Sequence, residues 1–159
     1  MTHIRTHLEP GDIGYIIYLH GLLYAREYGL DHSFEGYVAE RLGEFGKQYD
    51  ANKDYFAVAE IDEGIAGSIM IQGLPDNTAM LRFFLVHPDA RGRGLGKELM
   101  KRALDFCREH RFTTVFLWTI SELQAAIHLY KQAGFECTER NTHEVWGATR
   151  TEERYDLVL

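Results

Sequence analysis

RGRGLG, residues 91–96, places two arginines and three glycines between an apolar stretch and a segment with helical spacing. A glycine-rich turn exposes consecutive main-chain N–H groups, which at a helix start lack partners and carry the positive end of the helix dipole. Gly94 and Gly96 would let an anion approach the backbone nitrogens closely. These residue types and their spacing therefore predict a phosphate-binding turn.

The charge around this turn is opposite to that of the whole chain. The 159 residues carry a net charge of −7, which argues against nucleic-acid binding because that function requires a basic surface. A turn that merely begins a helix is the simpler interpretation, but the strand before it, the helix after it and the local charge favour a ligand. The basic residues of this region are Arg91, Arg93, Lys97, Lys101, Arg102, Arg108 and Arg111, against Glu98, Asp105 and Glu109.

Two common phosphate-binding loops do not fit this sequence. The nucleotide-hydrolase loop G-x-x-x-x-G-K-[ST] requires a hydroxyl residue after its lysine, whereas Glu98 follows Lys97. The dinucleotide fingerprint G-x-G-x-x-G requires a spacing that Gly92, Gly94 and Gly96 lack. The turn therefore belongs to a different class of phosphate site.

The elements that must position this turn follow from the hydrophobic periodicity. Helices are predicted from Asp12 to Gly29, from Ser33 as N-cap through Phe45, over about 94–110, and over about 122–133, ending at Gly134. Strands are predicted at 3–8, 55–61, 65–71, 80–86 and 115–119 and within 135–146 and 153–159, with turns at 62–64 and 75–77.

Strand 80–86, the helix after the turn and strand 115–119 form a βαβ crossover. Such crossovers are right-handed and join parallel strands, while hairpins on either side add antiparallel strands. The predicted fold class is therefore α/β with a mixed sheet, rather than a regular doubly wound sheet.

Composition is that of an ordinary globular protein. The chain is long enough for one domain with a core, and 45% of its residues are hydrophobic. No apolar run approaches the ~20 residues of a membrane span, and no secretion signal is present, so we expect a cytoplasmic location without membrane association. Cys107 and Cys137 show no zinc or disulfide spacing, and His3 and His7 lack further ligands, so no metal site is expected.

Arg91-x-x-Gly94-x-Gly96, following an apolar strand that ends at Val86, resembles the acyl-CoA-binding motif of the GNAT superfamily of N-acyltransferases. LYKQAGF, residues 129–135, resembles the second motif of that family. The predicted element order matches the family over nearly the whole chain. The resemblance implies a single N-acetyltransferase domain over residues 1–159, with about seven strands, about four helices and a parallel pair that splays apart at the cofactor site.

The resemblance also implies roles for particular residues. Acetyl-CoA would be the cosubstrate, with backbone groups of Leu85 and Val86 binding pantetheine and the Val86 N–H lying near the thioester carbonyl. Main-chain amides from Arg91 to Lys97 would hold the pyrophosphate. Tyr130 aligns with the family tyrosine that protonates the departing thiolate. The predicted cofactor-binding residues are Leu85, Val86, Arg91, Gly92, Arg93, Gly94, Leu95, Gly96 and Lys97.

No side chain is an obvious general base, although a protonated amine must lose its proton before it attacks a thioester. Met80 stands where some family members carry a catalytic glutamate, and Leu123 replaces an asparagine that often opens the second motif. Glu60, Glu122 and His20 are the candidates, with a bound-water relay as the alternative.

These features predict an enzyme that transfers an acetyl group from acetyl-CoA to a primary amine of a small molecule or protein, by direct attack in a ternary complex. Glu27, Asp31 and Glu35 could attract a cationic amine, or act as solvated, helix-capping residues. The alternative function is an acyl-CoA-binding sensor with weak catalysis. A protein-interaction domain without a cofactor would leave RGRGLG unexplained. Dimers are common in the family, although the sequence shows no interface for a homodimer.

Overall fold

The predicted crossover is present in the computed structural model, which describes all 159 residues. Strand β4 (Thr78–Val86), helix α3 (Leu95–Glu109) and strand β5 (Thr114–Ile120) follow one another, with a 3-10 turn at Pro88–Ala90 before α3. The other helices are α1 (Asp12–Tyr28), α2 (His32–Gln48) and α4 (Gln124–Ala133). The other strands are β1 (Thr2–Arg5), β2 (Tyr55–Ile61), β3 (Gly64–Leu74), β6 (Glu136–Val145) and β7 (Ala148–Val158).

The seven strands form one mixed sheet in the order β1-β2-β3-β4-β5-β7-β6. β4 and β5 are its parallel pair, and all other neighbours are antiparallel. This arrangement confirms the α/β class, the mixed sheet and the parallel pair.

One predicted helix cap is wrong. Asp31, rather than Ser33, is the N-cap of α2, and its carboxylate accepts a hydrogen bond from the Ser33 N–H at 3.0 Å. Both residue types can cap a helix, but Asp31 has the extended backbone that an N-cap requires, whereas Ser33 is already helical. The predicted stops of α1 at Gly29 and of α4 at Gly134 are confirmed, because both glycines adopt a left-handed conformation.

Three strands differ most from their predicted extents. β1 ends at Arg5, where the side chain turns inward to Asp12. β3 continues to Leu74 because its pairing with β4 extends to Thr78. β7 begins at Ala148 instead of 153, since β6 and β7 are joined by a two-residue turn and their exposed residues hide the alternation of a strand.

The two faces of the sheet carry separate hydrophobic cores. Along β2, Ala57 and Ala59 face a core that α3 and α4 cover, while Phe56 and Val58 face a core that α1 and α2 cover. This division follows from the two-residue period of strands. A site that lies between strands can therefore be reached from two differently built faces.

No helix of the structure combines the length and apolar character that a membrane span requires. Both cysteines are free thiols. Burial raises the pKa of the Cys107 thiol to about 12, which disfavours thiolate chemistry at that residue.

Candidate active site

The parallel ladder between β4 and β5 is short. Its paired residues run from Thr78–Thr114 to Met80–Phe116, although β4 continues to Val86 and β5 to Ile120. Beyond Met80 the strands diverge, and a cavity of about 360 Å³ opens between them. The splayed pair implied by the family resemblance is therefore present.

A β-bulge shapes the β4 side of this gap. The register of the β3–β4 ladder shifts between Ser68 and Met70, so Phe83 and Phe84 together oppose one residue of β3. Phe83 has a φ of 55°, which is uncommon for a bulky residue, and its carbonyl accepts a hydrogen bond from Ser68 Oγ at 2.7 Å. The bulge turns Arg82 and Phe83 toward the same face, with the guanidinium carbon 4.9 Å from the ring centroid.

The cavity passes through the sheet and opens to both cores. Tyr130 and Phe84 line it beside the core of α3 and α4, whereas Phe34 and Phe83 line it beside the core of α1 and α2. Two substrates could therefore approach each other from opposite faces of the sheet.

The predicted phosphate-binding turn presents a run of free donors. The main-chain N–H groups of residues 92–97 donate to no acceptor in the protein, and the first helical bond of α3 joins Glu98 N–H to the Gly94 carbonyl at 3.0 Å. The Arg91 N–H instead donates to the Pro88 carbonyl at 3.3 Å, so the run begins at Gly92. Six adjacent unpaired donors at a helix start form a ready anion site.

The glycines of this turn serve two purposes. Gly92 and Gly94 have φ values of 78° and 76°, and a Cβ at either position would meet no atom within 4 Å, so they give the turn its conformation and leave it open. At Gly96 a Cβ would lie 2.9 Å from Leu129 Cδ1 and 3.4 Å from the Phe84 ring. Gly96 therefore lets the start of α3 pack against the cavity wall.

The Arg91 side chain links this turn to α1. Its guanidinium binds both carboxylate oxygens of Glu27, with Nη2 2.9 Å from Oε2, and its Nε donates to the Val86 carbonyl at 3.0 Å. The carboxylate raises the pKa of Arg91 above its usual value. Glu27 is thus engaged with Arg91, while Arg93 and Lys97 form no ion pair and remain exposed.

Strand register distinguishes the two residues predicted to bind pantetheine. The His87 N–H donates to the Ala66 carbonyl at 2.8 Å, and bonded and non-bonded pairs alternate along an antiparallel ladder. Val86 therefore directs its N–H and C=O away from β3, whereas Leu85 directs its own toward Ser68. Because the Val86 carbonyl accepts from Arg91 Nε, its N–H is the group left free on the β5 side.

Tyr130 lies where the motif predicts a proton donor, at the edge of the cavity. Its ring packs 6.0 Å from Phe84 and 5.9 Å from Phe135, and its hydroxyl has no hydrogen-bond partner in the protein. Burial raises the pKa of this hydroxyl above its ordinary value, so it stays protonated at neutral pH.

His20 brings a neutral imidazole to the same cavity from α1. Its Nδ1 lies 2.8 Å from the Ile16 carbonyl, which can only accept, so Nδ1 carries the proton and Nε2 keeps its lone pair. No protein group binds Nε2, and the ring lines the cavity. Burial lowers the pKa of His20 to about 4, so the imidazole is neutral near pH 7.

Two hydroxyl groups also line the cavity without partners. Thr119 Oγ1 is buried and forms no hydrogen bond, and burial raises the pKa of the Tyr24 hydroxyl, which is likewise unpaired. A buried polar group without a partner costs stability unless a ligand supplies one. These groups and the free amides fit a ligand that combines a diphosphate with an amide-bearing thioester arm, as acetyl-CoA does.

The other predicted candidates lie outside the cavity. Glu60 pairs with Arg5 at 3.2 Å, and Glu122 pairs with Arg150. Asp31 caps α2, and neither it nor Glu35 lines the cavity. No group of three His, Cys, Asp or Glu residues is arranged to hold a metal ion. Of the three predicted bases, the structure thus brings His20 to the gap.

Sequence reasoning missed an aromatic wall. Trp146 occupies the β6–β7 turn with a φ of 51°, and its ring lies 5.0 Å from Phe34 and 5.4 Å from Tyr37. Tyr24 stacks on Phe34 with ring centroids 4.8 Å apart. The Trp-Gly pair between two strands was the available turn signal, but nothing local indicated that the turn reaches the helices.

Known proteins resemble this chain in both sequence and fold. The Acetyltransferase (GNAT) family matches residues 22–135. An uncharacterised N-acetyltransferase of Schizosaccharomyces pombe is 30% identical over 123 residues, which span 76% of this chain and 74% of that protein. The probable N-acetyltransferase camello of Xenopus tropicalis is 32% identical over 124 residues, which span 72% of this chain and 56% of that protein.

Solved structures agree with this assignment at the level of the fold. An acetyltransferase from Streptococcus agalactiae superposes with a TM-score of 0.80 at 23% identity, covering 99% of this chain and 98% of that one. A Salmonella typhimurium protein solved with its cofactor acetyl-CoA gives a TM-score of 0.75 at 19% identity, covering 100% and 94%. The chain belongs to the GNAT family of acetyltransferases and is an acyl-CoA-dependent N-acetyltransferase with acetyl-CoA as its cosubstrate.

Proposed function

We propose that the chain joins acetyl-CoA and a primary amine in the β4–β5 gap, where the amine attacks the thioester directly in a ternary complex. The observation that carries this proposal is the cavity that crosses the sheet, with unpaired donor groups near one face and an aromatic wall on the other. Direct attack requires both substrates to be held together, because proximity supplies much of the rate.

The free amides of residues 92–97 would hold the diphosphate, and the exposed side chains of Arg93 and Lys97 would add positive charge at the rim. Val86 would direct its N–H toward the thioester carbonyl, where negative charge develops during attack. The strand register favours Val86 over Leu85 for this contact, and Leu85 then contributes mainly through its buried side chain.

His20 would accept the proton that the amine loses. The acceptor would bind as the neutral amine, its ammonium proton having gone to solvent, and its N–H becomes strongly acidic as the C–N bond forms. A base with a pKa of about 4 can then take the proton at Nε2. The Nδ1–H···O=C bond to Ile16 would hold the imidazole in the tautomer that this role requires.

Tyr130 would supply a proton to the sulfur as the C–S bond breaks. Its raised pKa keeps the hydroxyl protonated until the thiolate departs. The unpaired Tyr24 hydroxyl lines the same cavity, so it is the rival donor to be compared with Tyr130.

We infer further that residues 1–159 form one N-acetyltransferase domain, because one sheet and its helices account for the whole chain. The cytoplasmic location, the homodimer and the lack of nucleic-acid binding stay predictions. Light scattering at several protein concentrations tests the dimer.

Thiol release from acetyl-CoA in the presence of a panel of primary amines tests the proposed function. We expect thiol release only when acetyl-CoA and an amine are both present, at a rate that depends on the amine. Calorimetric binding of acetyl-CoA without release for any amine would favour the sensor and contradict the proposal.

A further inference from the structure

Arg82 differs from the other arginines that are shielded from solvent. Arg5, Arg150 and Arg154 each form an ion pair with a carboxylate, whereas Arg82 forms none. Its polar contacts are uncharged: Nη1 lies 3.3 Å from Gln72 Oε1, and the Tyr37 hydroxyl interacts with the guanidinium. These contacts leave several of the five N–H donors of the guanidinium without a protein partner.

The nearby carboxylates form no ion pair with Arg82. Glu44 lies 4.0 Å from Arg41, and Glu152, which lines the same cavity as Arg82, lies 3.5 Å from His143 Nε2. A half-buried charge without a counter-ion is costly, and the guanidinium stays protonated at neutral pH. An anionic group on a ligand would supply the missing partner.

The guanidinium and the proposed base both neighbour the ring of Phe83. The guanidinium contacts the Phe83 ring at 4.9 Å, and the centroid of the same ring is 6.2 Å from that of His20. Tyr24, Phe34 and Trp146 line the cavity on this face. The acceptor side therefore combines a guanidinium that can bind an anion, an imidazole that can accept a proton from an amine, and an apolar wall.

We propose that the acceptor is an amine that also carries a carboxylate, which Arg82 binds while the aromatic wall contacts the apolar part of the molecule. This inference rests on the proposed function and names its substrate class. The planar fork of arginine suits a carboxylate because two parallel hydrogen bonds can form. A polyamine, whose charged groups are all cationic, would be repelled by Arg82.

A matched pair of acceptors tests the inference. Thiol release is measured with phenylalanine and with 2-phenylethylamine, which lacks only the carboxylate, and with spermidine for comparison. We expect kcat/KM for phenylalanine to exceed that for 2-phenylethylamine by roughly 10- to 100-fold, the range for a hydrogen bond to a charged group. A wild-type enzyme that favours 2-phenylethylamine or spermidine would overturn the inference.

Substitution of Arg82 tests whether this residue causes the preference for the acceptor that carries a carboxylate. In Arg82→Gln the ratio of the two kcat/KM values should fall by the same factor, with little change for 2-phenylethylamine, and Arg82→Lys should give an intermediate ratio. Comparing ratios cancels the intrinsic reactivity of the two amines. Arg108→Gln, an exposed arginine on α3 outside the cavity, should leave the ratio unchanged. An unaltered ratio in Arg82→Gln would contradict the assignment.

A binding measurement separates this inference from the proposed function. The CoA-bound enzyme is titrated with N-acetylphenylalanine and with N-acetyl-2-phenylethylamine, and acetyl-CoA affinity and thermal melting verify that each variant folds. If the wild type binds N-acetylphenylalanine more tightly and Arg82→Gln removes that preference, the inference is supported even if no amine is acetylated. The absence of acetylation would contradict the proposed function alone. Equal binding of both compounds contradicts the inference while leaving amine acetylation intact. If Arg82→Gln does not fold, Arg82→Lys and the wild-type ratios decide.

Discussion

Burial and one hydrogen bond determine what His20 can do. The Ile16 carbonyl fixes the proton on Nδ1, and desolvation lowers the pKa to about 4, so Nε2 offers a lone pair to the cavity at any pH near neutral. An exposed histidine would be partly protonated in the same range. The base function that we propose thus depends on the fold around the residue rather than on the residue type alone.

Replacing His20 should slow acetyl transfer without weakening cofactor binding. Asn at position 20 keeps an N–H for the Ile16 carbonyl but has no basic nitrogen, so we expect kcat/KM for the amine to fall by about 10²-fold. His110 makes the same local contact, from Nδ1 to the Phe106 carbonyl at 3.0 Å, on the exposed end of α3. His110→Asn is therefore the matched control. Wild-type kcat/KM in His20→Asn would remove His20 from the mechanism and favour a water relay.

Tyr130→Phe tests the proposed acid. We expect kcat to fall by about 10- to 100-fold, because the departing thiolate loses its proton donor, while calorimetry finds acetyl-CoA affinity unchanged. Tyr155, whose ring lies 6.2 Å from Tyr130, donates to Glu153 at 3.3 Å and lies outside the cavity, so Tyr155→Phe serves as the control. If Tyr24→Phe lowers kcat and Tyr130→Phe does not, the acid role passes to Tyr24.

At the scale of elements, the start of α3 matters because its amides are left unpaired. The conformation of Gly94 and Gly92 opens the turn, and the close packing of Gly96 holds it beside the gap. The helix dipole adds a positive potential at the same place. Together these features suit the turn to the binding of an anion through its main-chain amides, as we propose.

Gly94→Asp should weaken acetyl-CoA binding by about tenfold or more, since a carboxylate would repel the diphosphate and crowd its approach. Gly11 is an equivalent control, because it is also the left-handed N-cap of a helix, with a φ of 97° and open space around it. Gly11→Asp carries a similar left-handed strain and the same charge, but at the opposite end of α1 from Glu27, which contacts Arg91. Equal affinities of the two variants in calorimetry would contradict the assigned phosphate site.

The elements that local patterns encode were predicted from the sequence, and those that depend on distant contacts were not. Helical spacing after RGRGLG and the apolar run before it identified the crossover. The bulge at Phe83 depends on register with β3, and the position of Trp146 depends on contacts with Phe34 and Tyr37. In the sequence Arg82 is one charged residue in an apolar strand, and its lack of an ion pair is visible only in three dimensions.

At the scale of the whole molecule, the site depends on both cores being in place. Arg5 joins β1 to the start of α1 and to β2, through Asp12 at 2.8 Å and Glu60 at 3.2 Å. Arg150 joins the end of α1 to the segment before α4, through the Gly29 carbonyl at 3.2 Å and the Glu122 carboxylate. The acceptor face is thus held at both ends by buried arginines.

Acid should destabilise the folded protein over the pH range between the folded and unfolded pKa values of His20. The folded pKa of about 4 lies below the unfolded value of 6.5, so the unfolded chain binds more protons between these values. Stability is therefore present above pH 6.5 and is lost as the pH falls toward 4, by about 3 kcal/mol from this residue. Urea unfolding of wild type and His20→Asn across this range measures the difference, and equal pH dependence in the two would contradict the assigned burial effect.

A crystal structure of the protein with acetyl-CoA tests the proposed cofactor site most directly. We predict diphosphate oxygens within about 3 Å of main-chain nitrogens between residues 92 and 97, with the acetyl group in the gap between β4 and β5 beside Tyr130. A diphosphate bound away from this turn, or a thioester outside the gap, would contradict it.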